Sequence, residues 1–203
     1  SVDTDDYYFR ATTFDNLNQL SLNGAMHPFN RDLFVIGYDY DYHRLRSTYL
    51  TKQRALSSNA LYSNYTFIFN PWDVNFGLRS DNTSEYGSEI SPSAGAAYNF
   101  GDSVPAKLRF NISRAFNAAP LLWKYYNLYL SGLDSNYDLK AEKAWCYDAG
   151  VGVELWKKLK FDLNGYYADV SDAIAVTTNG SGEYYMKNFE KFRRQGVALN
   201  TVF

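Results

Sequence analysis

The chain has 203 residues, a formal net charge of −2 and one cysteine, Cys146. That charge argues against the basic surface of a nucleic-acid-binding protein, and a single cysteine excludes an internal disulfide or a cysteine-built metal centre. Aromatic residues make up 18%, including 19 Tyr and 14 Phe, and a Tyr ring accepts hydrocarbon while its hydroxyl seeks water.

No stretch nears the roughly 18 consecutive apolar residues of a membrane-spanning helix. The N-terminus, Ser1 to Asp6, is acidic and lacks the basic and apolar regions of a secretion signal. The expectation is a chain whose signal has been removed, or one that begins partway through a longer chain.

Period-two alternation dominates the chain from there on, which is the pattern of strands with one apolar and one polar face. Asp6–Phe14 carries it faintly, and Asn18–Met26 is a strand candidate. In Leu33–His43, Phe34, Ile36, Tyr38, Tyr40 and Tyr42 share one face, and Gly37, Asp39, Asp41 and His43 share the other. Ala60–Asn70 precedes the clearest case, Trp72–Asp81. There Trp72, Val74, Phe76 and Leu78 alternate with Asp73, Asn75, Gly77 and Arg79. Ile90–Phe100 comes next, and Ala106–Ser113 sets Leu108, Phe110 and Ile112 against Lys107, Arg109 and Asn111. Trp145–Trp156 sets Tyr147, Val151, Val153 and Leu155 against Cys146, Asp148, Gly152 and Glu154. Leu159–Tyr167 and Tyr184–Phe203 complete the set, the first with Lys160, Asp162 and Asn164 on its polar face.

Connections at Asn70-Pro71, Gly101–Pro105 and Lys157-Lys158 read as short. Those at Ser80–Glu89, Asn117–Lys140 and Thr177–Glu183 read as long and polar. Short turns at one end and long loops at the other, with aromatic-rich apolar faces and charged polar faces, characterise outer-membrane barrels. Hydrocarbon offers an amide no hydrogen-bond partner, so strands that cross it must pair and close. Trp72, Trp145, Trp156, Tyr98 and Phe100 stand near strand ends, where interfacial aromatics belong. The fold class expected is all-β, an antiparallel transmembrane β-barrel with about ten strands present.

Four blocks in order resemble one family. Gly77, Arg79, Asp81, Tyr86, Gly87, Ser91 and Pro92 fit a Gly-x-Arg-x-Asp strand, a Tyr-Gly loop and a Ser-Pro return. Arg114, Ala115, Phe116 and Pro120 come next, then Leu139, Glu142, Tyr147 and Gly150, then Asn188, Gly196 and Val197. Over residues 69–200 this resembles the barrel of TonB-dependent outer-membrane receptors. The resemblance implies that residues 1–203 are a partial barrel domain from a 22-stranded barrel, with the family's plug and TonB box absent from this chain. It further implies a bacterial outer-membrane transporter and not an enzyme. The solute would be scarce and bulky, an iron–siderophore complex or cobalamin, and a TonB-type protein would supply energy through the plug. Outer-membrane lipid would be the other partner, with no nucleic acid, resident cofactor or metal.

Asp39, Asp41, Asp73, Arg79, Lys107, Arg109, Asp148, Glu154 and Asp162 are expected to face the lumen. Trp123, Tyr125, Tyr126, Tyr129 and Tyr137 in the long loop are the candidate ligand surface, because functional contacts concentrate on loops borne by a rigid scaffold. The same aromatics could equally anchor that loop to the rim. His43 with Asp39 and Asp41 is the alternative, an acid–base site of a small barrel hydrolase, and a passive pore is a third reading. Asp81, Glu85, Glu89, Asp134 and Asp138 have no spacing that fits a standard calcium loop. Glycines on the polar faces, Gly37, Gly77, Gly95, Gly150 and Gly152, fit close approach of other backbone, such as a plug.

Overall fold

The structure is a computed structural model. It describes residues 13–29, 31–48, 50, 52–101, 105–125, 133–134 (backbone only), 136–156, 158–178, 180, 182 and 184–203. The strands are β1 (Thr13–Met26), β2 (Leu33–Ser47), β3 (Arg54–Phe69), β4 (Trp72–Thr83), β5 (Gly87–Asn99) and β6 (Ala106–Asn117). A short helix α1 (Leu121–Tyr125) and a two-residue strand β7 (Leu133–Asp134) come after β6. Then come β8 (Glu142–Leu155), β9 (Leu159–Thr178) and β10 (Tyr184–Val202).

The long strands pair antiparallel in sequence order, β1 through β6 and then β8, β9 and β10, and β7 adds two parallel pairs to β10. Among the described residues no ladder joins β1 to β10, so the sheet is open. Most of the faint Asp6–Phe14 strand lies outside the described residues, and Thr13 and Phe14 belong to β1.

Partners in an antiparallel ladder share a face, so one register fixes the faces of the whole sheet. Starting from Phe76, the pairs Tyr65, Ala94, Ile112, Tyr147 and Tyr167 lie on one side. This apolar face is open, with Phe76 53% and Phe110 51% exposed. A soluble sandwich would bury such a face. Burial is instead concentrated on the opposite, polar face near one end, where Leu45, Leu121 and Tyr125 meet with Leu50, Leu56 and Leu122 packed around them.

Turn lengths depart from expectation at one place. Ser80–Glu89 is not a long loop: the β4–β5 ladder runs on to Thr83↔Gly87 and leaves only residues 84–86 as a turn. Thr83 Oγ1 accepts the Tyr86 N–H at 3.0 Å, and Gly87 returns the chain with φ +73°, a left-handed value that glycine adopts without steric cost. The contrast between the two ends therefore rests on residues 118–141, which connect β6 to β8. β9 also exceeds its expected end at Tyr167, because pairing with β10 carries it to Thr178.

A candidate lumen and an inward-folded loop

Asp39, Asp41, Asp73, Arg79, Lys107, Arg109, Asp148, Glu154 and Asp162 fall on the polar face by register. Most are tied across strands. Arg79 reaches Asp39 at 2.7 Å and Asp81 at 3.0 Å. Asp73 takes Lys107 at 3.0 Å and Asn99 at 3.1 Å. One guanidinium nitrogen of Arg109 holds both Asp162 oxygens, at 2.8 and 2.7 Å, and Lys160 meets Glu154 at 3.3 Å. Arg79–Asp39, Lys107–Asp73 and Arg109–Asp162 each reach across an intervening strand, while Lys160–Glu154 joins neighbours, where opposite charges stabilise the pairing.

The His43 constellation does not assemble. His43 Nε2 bonds to Asp15 on β1, Asp41 takes the Gln19 amide at 3.0 Å, and Asp39 takes Ser21 and Arg79. Alternate residues on one strand share a face but point side by side, so each finds its partner across the ladder. The acidic loop residues are likewise engaged: Glu85 by Lys124, Glu89 by Arg114 and Lys143. Among the described residues no group of metal-ligating side chains comes together.

A Cβ added at the polar-face glycines would meet the sheet's own atoms first. Side chains of the sheet itself fill that space: Tyr62 lies over Gly37, Ser93 over Gly77, Asn75 over Gly95 and Asn164 over Gly150. Gly196 shows the same arrangement, since a Cβ there would stand 2.6 Å from the Tyr166 hydroxyl.

The long loop starts by folding onto the polar face. Leu121 is 1% exposed and packs with Leu45 and Tyr125. Lys124 reaches Glu85 at 3.3 Å and lies 4.7 Å over the Tyr86 ring, while the Tyr86 hydroxyl donates to the Ala119 carbonyl at 2.9 Å. The Tyr125 hydroxyl donates to Glu85, and the Arg54 guanidinium sits 3.8 Å over its ring. Burial, with that bond to Glu85, pushes the Tyr125 hydroxyl from 10.0 up to about 12, and burial beside Glu85 raises Tyr86 as well. Of the loop aromatics, Tyr125 is buried, Trp123 and Tyr137 are exposed, and Tyr137 stacks edge-on against Tyr125 at 5.6 Å. Tyr126 and Tyr129 lie outside the described residues. Lys124 and Arg54 were not anticipated, and Glu85 was expected only as an acidic loop residue, since their partners are distant in sequence and no local spacing marks them.

The far end of the loop is held by residues of the motif blocks. Leu139 is buried, and Glu142 accepts the Ile174 N–H at 2.8 Å and the Asn117 amide at 2.9 Å. Asn188 accepts from Lys140 N at 2.8 Å and donates to the Asp172 carbonyl at 2.7 Å, where the chain has φ +54°. On the apolar face, strand cations crowd toward this same end: Arg44 and Arg46 on β2, and Lys187, Lys191 and Arg193 on β10.

A continuous antiparallel wall with an aromatic–aliphatic face, an ion-paired face and a loop folded over the latter defines a transmembrane β-barrel segment. The sequence matches the family model described as TonB dependent receptor-like, beta-barrel, over residues 1–202. The chain belongs to the TonB-dependent receptor-like β-barrel family.

Solved structures agree on the fold. The siderophore receptor PirA from Pseudomonas aeruginosa matches with a TM-score of 0.79 at 19% identity, over 94% of this chain and 40% of that one. The ferric enterobactin receptor PfeA from Pseudomonas aeruginosa, in complex with enterobactin, matches with a TM-score of 0.74 at 18% identity, over 93% of this chain and 33% of its own. The FrpB iron transporter from Neisseria meningitidis matches with a TM-score of 0.73 at 13% identity, over 93% and 33%. The chain thus spans 40% or less of the length of these receptors. No curated protein sequence matches it.

Proposed function

We propose that this chain is one partial barrel domain, forming wall, lumen face and outer loops of a bacterial outer-membrane receptor. That receptor imports a scarce, bulky solute, an iron–siderophore complex or a cobalamin-like cofactor. A TonB-type protein supplies the energy through a plug, and outer-membrane lipid surrounds the apolar face. The loop bearing residues 118–141 faces outward, as long loops do in such barrels. The observation that carries the reading is the pairing of an open aromatic face with a cross-linked polar face along the whole sheet. Family membership supports it, as do structural neighbours named as a siderophore receptor, a ferric enterobactin receptor and an iron transporter. Exposed Trp123 and Tyr137 offer the solute an aromatic surface at the mouth.

The test is uptake by a strain lacking the full-length gene and by its complemented counterpart. Loss of one metal chelate or cofactor, restored on complementation, is the expected result. Unchanged uptake of every chelate and cofactor tried would overturn the reading.

A further inference from the structure

The last residue of α1, Tyr125, fills a seat built by other parts of the chain. Its ring is 8% exposed, the Arg54 guanidinium lies 3.8 Å over the ring centroid, and its hydroxyl donates to the Glu85 carboxylate. A cation over the ring face and an anionic acceptor at the hydroxyl match the two polar features of a phenol, its quadrupole and its acidic O–H. Leu45 and Leu121 close the apolar side, and Tyr137 stands edge-on at 5.6 Å.

The seat does not depend on its occupant. Arg54 pairs in register with Leu45 of β2, and the β4–β5 ladder runs to Thr83↔Gly87, which fixes the turn that carries Glu85. No ladder holds α1. Arg54 joins no ion pair among the described residues, so its guanidinium is matched to an aromatic ring and not to an acid. With the 118–141 loop facing outward, the seat lies on the lumen wall at the outer mouth, in the path of an entering solute.

We propose that this seat recognises a hydroxyaryl group of the solute, and that Tyr125 is an internal stand-in which the solute displaces. The inference rests on the transport reading and on the outward placement of the loop proposed above. The ring it takes carries a free O–H. A catecholate with both oxygens on iron has no proton to give Glu85 and sets its own negative charge against that carboxylate. The recognised ring therefore stands apart from the metal. It and Tyr125 cannot share the seat, so a solute that binds only the vacated state shifts α1 toward release. Exposed Trp123, on the same helix, moves with it.

Full-length protein in detergent is titrated with N-acetyltyrosinamide, with N-acetylphenylalaninamide, which lacks only the hydroxyl, and with ferric tricatecholate. Tyr125→Ala empties the seat and is expected to raise affinity for the tyrosine amide about tenfold over wild type, because the competing side chain is gone. That variant should bind the phenylalanine amide about tenfold more weakly, the size of a lost hydrogen bond to a charged group. Glu85→Ala in the same background is expected to erase the difference, whereas Arg54→Lys, which keeps a cation over the ring, retains it. In the wild type, saturating tyrosine amide should change Trp123 fluorescence, and Trp123→Phe should remove that change. Should Tyr125→Ala fail to fold, Leu121→Ala carries the test, since it loosens α1 and is expected to give the same direction of change. Equal binding of the two amides, affinity unchanged by vacating the seat, or displacement of the tyrosine amide by ferric tricatecholate would overturn the proposal. Those results in a strain that still imports a chelate leave the transport reading standing; intact discrimination between the amides in a strain that imports none defeats that reading alone.

Discussion

Arg79 bridges two carboxylates of different strands, Asp39 on β2 and Asp81 on its own β4. Its side chain is 38% exposed, so water screens the attraction. Arg79→Ala is expected to lower the unfolding free energy of the full-length protein by about 1 kcal/mol, the upper range for screened pairs, read by urea titration in detergent micelles. A change within error would mean that the lumen face is held by its ladders alone. Gly196 lies under the Tyr166 ring, and a side chain there must push the ring aside. Gly196→Val is therefore expected to cost about 1–3 kcal/mol as an overpacked site. Tyr166→Ser should recover most of it, and a double-mutant cycle without coupling would refute that contact.

At the scale of elements, α1 is the segment whose position no strand ladder enforces. It is held by Leu121 in a small apolar cluster and by the Glu85–Tyr125–Lys124 contacts. Leu121→Ala is expected to loosen it by about 2–3 kcal/mol, exposing residues 118–125 to protease while the strands stay protected. Tyr125 adds a pH signature. Its hydroxyl titrates near 10.0 when free and at about 12 when docked. Below pH 10 both states keep the proton and docking is unaffected. Between pH 10 and 12 the released state loses its proton first, so docking weakens as pH rises. Fluorescence of the adjacent Trp123 should report release over that window, and Tyr125→Phe should reduce the dependence to the part contributed by Tyr86, whose raised hydroxyl holds Ala119. A flat profile in the wild type would separate α1 from this tyrosine.

For the whole molecule, the decisive quantity is the unpaired edge. Within the described sheet β1 pairs on one side only, and β10 adds just two residues of β7 on its free side. Each exposed amide in hydrocarbon costs several kcal/mol, so these edges must pair, with further strands or with each other. The 203-residue chain expressed alone is expected to give no heat-modifiable, protease-resistant barrel, whereas the full-length receptor gives one. A stable small barrel from this piece alone would show that its ends can close on each other.

Alternation along Trp72–Asp81 and Leu33–His43 by itself determined that these segments are strands and which residues share a face, because side-chain direction reverses at every residue. The motif blocks added the family, and with it the expectation of a polar lumen. Local spacing could not say that His43 pairs with Asp15, or that Thr83 and Gly87 shrink an apparent ten-residue loop to a three-residue turn. Nor could it say that the first helix of the long loop lies inward on Glu85. Those are contacts between residues far apart in the chain, and only ladder register and the closing geometry of neighbouring strands decide which of many equally polar partners come within reach.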